Sequence, residues 1–119
     1  MNGFKILLSV LLIAVVVYTI PVVLNHGPNL FPQFFGDIAK MGWAGQFNVD
    51  FMGFLVLSGL WMAWRHHFSV GGLLLGVIGF FGGIPALAIY LLIQMRAVNG
   101  DIAQLMLGKA RADAIREGG

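Results

Sequence analysis

Residues 46–67 read QFNVDFMGFLVLSGLWMAWRHH, and the kind of molecule this chain makes turns on that run. It holds one acid near its start, Asp50, and one strong base near its end, Arg65, with Trp61 and Trp64 beside the base. Residues 51–64, between the two charges, are all apolar or small. A transmembrane helix needs about 20 mainly apolar residues to cross a hydrocarbon core of about 30 Å. The uncharged stretch is shorter, so a span here must take in Asn48 and Asp50 at one end and Arg65 at the other. Arg65 can carry its charge to water on a flexible stem, whereas an Asp side chain is too short to do so. This predicts Arg65 as an interface anchor, with Trp43, Trp61 and Trp64 at headgroup level. Asp50 is then the costly charge of the span.

Composition points the same way. Of the 119 residues, 59% are hydrophobic and 10% charged, and the mean hydropathy is +0.88. Soluble domains carry about a quarter charged residues, so an integral membrane protein is expected, with the lipid bilayer as its first partner. The absence of cysteine excludes disulfides, thiolate nucleophiles and Cys-ligated metals. The net charge of +2 comes from scattered residues. Nucleic-acid binding would need a basic stripe, so none is expected.

Outward from the central run, residues 4–24 form a first span with Lys5 as their only charge. The run is long for a signal peptide and lacks a small-x-small cleavage site, so it reads as a retained helix, bent near Pro21. Residues 25–45 are rich in Pro and Gly, yet Phe31, Phe34, Phe35 and Ile38 recur at helical spacing. That pattern predicts a short amphipathic segment in the membrane interface.

Span two covers residues 46–66. A tight turn at Phe68, Ser69 and Gly71-Gly72 should make it an antiparallel hairpin with span three, residues 70–95. Gly72, Gly76, Gly79 and Gly83 form one stripe down that helix, the small-residue face that lets helix backbones approach closely in lipid. Pro85 should bend its outer third. The fold expected is all-α: a three-helix transmembrane domain over residues 1–96 and an extramembrane tail over 97–119. Asn99-Gly100-Asp101 should break the chain and cap one short surface helix in that tail. Lys5 and the turn after Arg65 argue for an inside N-terminus, which across three spans puts the C-terminus outside.

Asp50 carries the strongest chemical expectation. It reads either as the N-cap of span two or as a functional carboxylate in a polar layer with Tyr18, Thr19 and Asn48. A third reading pairs it with Arg96 or with a partner protein. His26, His66 and His67 are weak candidates for a haem or pigment ligand. His26 and the His66-His67 pair sit at opposite ends of their spans, and no HxxxH or ExxH spacing offers a metal site. No Ser has a nearby base, no glycine run forms a phosphate loop, and no carboxylate pair suits acid–base work. The expectation is a non-enzymatic protein with no resident cofactor or metal.

Three stretches, NHGPNLFPQFFGDI (25–38), QFNVDFMGFLVLSGLWMAWR (46–65) and GGIPALAIYLLIQMR (82–96), together resemble an uncharacterised family of small three-span bacterial membrane proteins. The residues that match are His26-Gly27, Asp50, Trp64-Arg65 and Tyr90 to Arg96. The tail lies outside the resemblance, and two histidines stand after Arg65 where the family's inner turn is more basic. The resemblance implies a three-span fold in the bacterial inner (cytoplasmic) membrane and no activity. The role expected is that of an accessory or scaffold subunit of a larger membrane complex, or of a homo-oligomer. Handling of a small molecule, proton or lipid through the layer around Asp50 is the alternative, and pigment or haem binding through a single His the third.

Overall fold

The computed structural model describes residues 2–118, whose regular structure is entirely helical. In chain order these are α1 (Asn2–His26), α2 (Phe31–Ala39), α3 (Trp43–Arg65), α4 (Val70–Ala97), α5 (Ile102–Leu107) and α6 (Lys109–Gly118). By length and composition α1, α3 and α4 could each cross a membrane. Large apolar side chains stand exposed along all three, among them Ile13 and Val17, Phe54 and Leu60, and Leu74 and Val77. Water would penalise such surface by about 25 cal/mol per Å², so these faces suit lipid.

Caps set the boundaries. Asn29 accepts a hydrogen bond from the Phe31 N–H at 3.2 Å where α2 starts. The chain leaves α3 through a Schellman turn, with His67 in the left-handed region at φ +60° and the Phe68 N–H returned to Ala63 O at 2.8 Å. Ser69 then caps α4, its hydroxyl accepting from Gly72 N at 3.1 Å.

The first part of α4 runs antiparallel to α3 through glycines on both sides. A methyl group added at Gly59 would stand 2.6 Å from Gly76 O, and one at Gly76 would stand 2.9 Å from Gly59 O. Gly72 and Gly79 meet Ala63 and Met62 in the same way. The expected glycine stripe is thus a packing face, filled from within the chain.

Gly83 departs from that role. Its backbone has φ +59° and ψ −144°, a conformation close to one that only glycine adopts readily. There α4 breaks into an ascending arm, residues 70–82, and a returning arm, residues 84–97. Gly72 lies against His66, and the Tyr90 hydroxyl also reaches His66, at 2.5 Å. In a straight helix residues 72 and 90 would be about 27 Å apart, so the second arm must fold back.

The returning arm lies between α1 and α3. Leu8 on α1 and Met62 on α3 share the buried cluster with Ala88, Tyr90, Leu91 and Met95. Lys5 lines a crevice with Arg96 and Asn99. The start of α1 and the end of α4 therefore lie at the same end of the bundle. Pro85 was expected to supply the bend, but the reversal lies two residues earlier, inside the glycine stripe. Three further corrections concern boundaries and burial. Helix α3 starts at Trp43, the tail makes two helices instead of one, and Arg65 is buried at 6% exposure.

Gly83→Ala should lower stability by about 1–3 kcal/mol, the cost of holding a Cβ-bearing residue in this conformation. Gly71→Ala, where a methyl meets nothing within 4 Å, serves as the control. Thermal unfolding in detergent, with a lower Tm for Gly83→Ala alone, checks this.

Candidate functional site

The polar groups that packing does bring together lie at the end of the bundle shared by the termini, around Arg65. Its Nε donates to Leu105 O at 2.7 Å and its Nη2 to Gln104 O at 3.1 Å. Both acceptors belong to the last turn of α5, where a cation is favourable, and Gln104 O also accepts from Gly108 N at 2.9 Å. The third contact, from Nη1, runs to the Tyr90 hydroxyl at 3.0 Å. That hydroxyl accepts from Arg65, which leaves its own proton free for His66 Nε2 at 2.5 Å. In that arrangement the ring is neutral and carries its proton on Nδ1.

Two neighbours complete the clasp. Trp61 Nε1 donates to Met106 O at 2.9 Å, and its ring meets Tyr90 edge-on with centroids 5.9 Å apart. From α6, Arg111 donates to Trp64 O at 2.6 Å and lays its guanidinium 3.9 Å over the Trp64 ring. The clasp is reciprocal: a base ending α3 satisfies carbonyls of α5, and a base on α6 satisfies a carbonyl ending α3. Gly108 eases the approach: its φ is +85°, and a methyl group there would stand 3.1 Å from Arg65 O. Asp101 starts the tail as expected of a cap, accepting from Ala103 N at 3.1 Å, and Arg116 grips its carboxylate with both Nη atoms at 2.8 Å.

The polar layer expected around Asp50 is not assembled. Asp50 is exposed on α3, in the second turn after Trp43, so it does not cap that helix. Tyr18 is 75% exposed, and the Thr19 hydroxyl donates to Val15 O of its own helix. Asn48 instead ties α3 to α2 by donating to Phe34 O at 3.0 Å. His26 and His67 are exposed, whereas His66 lies within the clasp. Among the described residues no group of three His, Cys, Asp or Glu could hold a metal. Trp43 is exposed at the opposite end from the clasp, while Trp61 and Trp64 bind the tail.

Sequence reasoning missed Tyr90 and Arg111 as partners of the α3 end, because both depend on the reversal at Gly83. The tail's carbonyls could not have been found, since every residue carries one.

A second feature lies at the other end. The hairpin fills the space between α1 and α3 only up to its apex. Above it, roofed by α2, is an apolar cavity of about 720 Å³ lined by Thr19, Phe34, Phe51, Leu55, Phe80 and Pro85 among others. A smaller cavity of about 510 Å³ between α3 and the returning arm is lined in part by Ser58, whose buried hydroxyl has no hydrogen-bond partner among the described residues.

Burial holds the His66 pKa below its usual value, with Arg65 and then His67 adding to the effect. A lowered histidine pKa means that the folded state favours the neutral ring. Its stabilising contribution is full above the unfolded value of 6.5 and is lost as pH falls from there through the folded value. Protonation would also remove the acceptor that Tyr90 needs. Asp101, lowered by the Arg116 hydrogen bond, loses its contribution only as pH falls below 3.8. Tm should therefore drop between pH 7 and pH 5 in the wild type and stay flatter in His66→Gln, as followed by circular dichroism.

Arg65→Ala should cost about 3 kcal/mol through the loss of buried charge-assisted bonds and should expose the tail to trypsin at Lys109 and Arg111. Limited proteolysis checks this.

Comparison with protein-family models, with curated proteins and with solved structures returns no match to this chain.

Proposed function

We propose that this chain is a non-enzymatic accessory subunit of the bacterial cytoplasmic membrane, whose clasped tail offers a fixed platform to a partner subunit or to a second copy. The observation that carries this reading is the clasp, since Arg65, Trp61 and Arg111 hold α5 and α6 against the bundle end. An ordered platform has already lost the chain entropy that a free tail would lose on binding, so less of the contact energy is cancelled. Ile102, Met106 and Ile115 remain exposed on it beside the charged residues of α6. The ionisable groups of the clasp are engaged with one another and with tail carbonyls, which suits a structural role better than a catalytic one.

The proposed disposition is two crossing helices, α1 and α3, and a hairpin that enters and leaves on one side. Each arm of α4 is about 20 Å long, too short for a core of about 30 Å. Six of the seven Lys/Arg then share one face, Lys5, Arg65, Arg96, Lys109, Arg111 and Arg116, with Lys40 alone on the other. That asymmetry favours both termini in the cytoplasm.

Because the chain lacks cysteine, single cysteines report the disposition cleanly. Cysteines at positions 2 and 114 should react with an impermeant maleimide from the same side of sealed vesicles, and one at 33 from the other. Labelling of 2 and 114 from opposite sides would sink the disposition. For the role itself, protein tagged at its N-terminus and purified in mild detergent should bring down a stoichiometric partner or run as an oligomer, and Arg65→Ala should lose it. A lone monomer in the wild type rejects the accessory reading.

A further inference from the structure

We infer that the cavity above the hairpin apex is a binding site for a single hydrocarbon chain, an acyl or polyprenyl tail that enters sideways from the bilayer between α1 and α2.

The argument starts from how the helices share their neighbours. α1 packs on the returning arm of α4, α3 on the ascending arm, and α2 on α3. Among the described residues α1 does not pack on α2 or α3 to a comparable extent. Where the hairpin stops, at Gly82 to Pro85, the space between α1 and α3 is left with walls, a floor and a roof. The roof is firm, because Gly45 brings α3 against the backbone of Asp37 and Ile38, and Asn48 holds Phe34 O. Among the described residues the side between α1 and α2 has no such tie, which makes it the entry side of the proposal.

The lining defines the ligand. Rings of Phe31, Phe34, Phe35, Phe51, Phe80 and Phe81 dominate it, and the one side-chain hydroxyl, of Thr19, is turned to Val15 O. Among the described residues no charged side chain lines it, so the walls reward apolar contact and would leave a polar head unpaired. The volume, about 720 Å³, lies in the range of sites that enclose small molecules, about 300–1,000 Å³. A helix about 10 Å across would fill it in less than two turns, so a transmembrane helix of a partner cannot lodge there. A flexible chain can, with its head left outside beside the polar face of α2, where Gln33 donates to Asp37 at 3.1 Å. This site lies at the opposite end from the clasp and stands independently of the accessory role.

The test uses the full chain in phosphatidylcholine vesicles. One set contains a trace of phosphatidylcholine with a photoactivatable diazirine near the end of one acyl chain, and a second set a diazirine-bearing polyprenyl phosphate. After irradiation, cross-links are mapped by mass spectrometry. The expected result is labelling concentrated on Phe34, Phe51 and Leu55 over the exposed Ile13 and Leu60. It should saturate at one chain per protein and yield to unlabelled competitor. The set that behaves so identifies the source of the chain. Val15→Trp, which fills the cavity from α1, should cut the cavity labelling about tenfold, and Ile13→Trp on the lipid-facing side should not. The inference is overturned if cavity residues label no more densely than Ile13 and Leu60 in both sets, or if labelling never saturates. A folded Val15→Trp that labels like the wild type overturns it as well. Should Val15→Trp not fold, the wild-type pattern and its saturation decide alone.

Discussion

One backbone conformation governs this molecule. At Gly83 the chain takes a positive φ with ψ near extended, and everything after it turns back toward the start. If residue 83 were helical, α4 would be a single rod of about 42 Å, with Tyr90 and the tail at the far end. As it is, the returning arm slots between α1 and α3, the Met95 and Leu105 side chains become fully buried, and Arg65 finds acceptors waiting. The void beneath α2 is the other product of the same reversal, because the hairpin is too short to fill the space it enters.

Arg65 shows how such a reversal changes the meaning of a residue. At the end of an apolar run, beside two tryptophans, a base should reach outward to water, since solvation of a lone guanidinium is worth more than any contact lipid can offer. The tail changes that balance by bringing several acceptors at once, two of them carbonyls at a helix C-terminus where the field favours a cation. His66 completes the group as a neutral acceptor, which ties the clasp to a proton equilibrium.

Much of the fold was legible. Run length and composition showed three long helices, the spacing of Phe31, Phe34, Phe35 and Ile38 marked α2, and Asp101 marked the start of the tail helices. The glycines at 72, 76 and 79 were read as a packing face and serve as one. Gly83 carried the same signal as its neighbours in the stripe, and hydropathy runs unbroken across it, so pattern alone could not separate a contact glycine from a turning one. The site was less legible for the same reason. Asp50 stood out because a charge among apolar residues is conspicuous, yet its surroundings depend on where the helix begins, and α3 begins at Trp43. Arg65, Tyr90 and Arg111 look ordinary in sequence, and only the reversal brings them together.

The hairpin apex has an electrical consequence. An α-helix ends with about half a negative charge on its last carbonyls and begins with about half a positive charge on its first N–H groups. At residues 82–85 the end of one arm meets the beginning of the next, so the two half-charges lie side by side and largely cancel. Pro85, in the first turn of the returning arm, contributes no N–H that would need a partner there. A lone arm would end in an uncompensated half-charge, whereas the pair presents a nearly neutral tip.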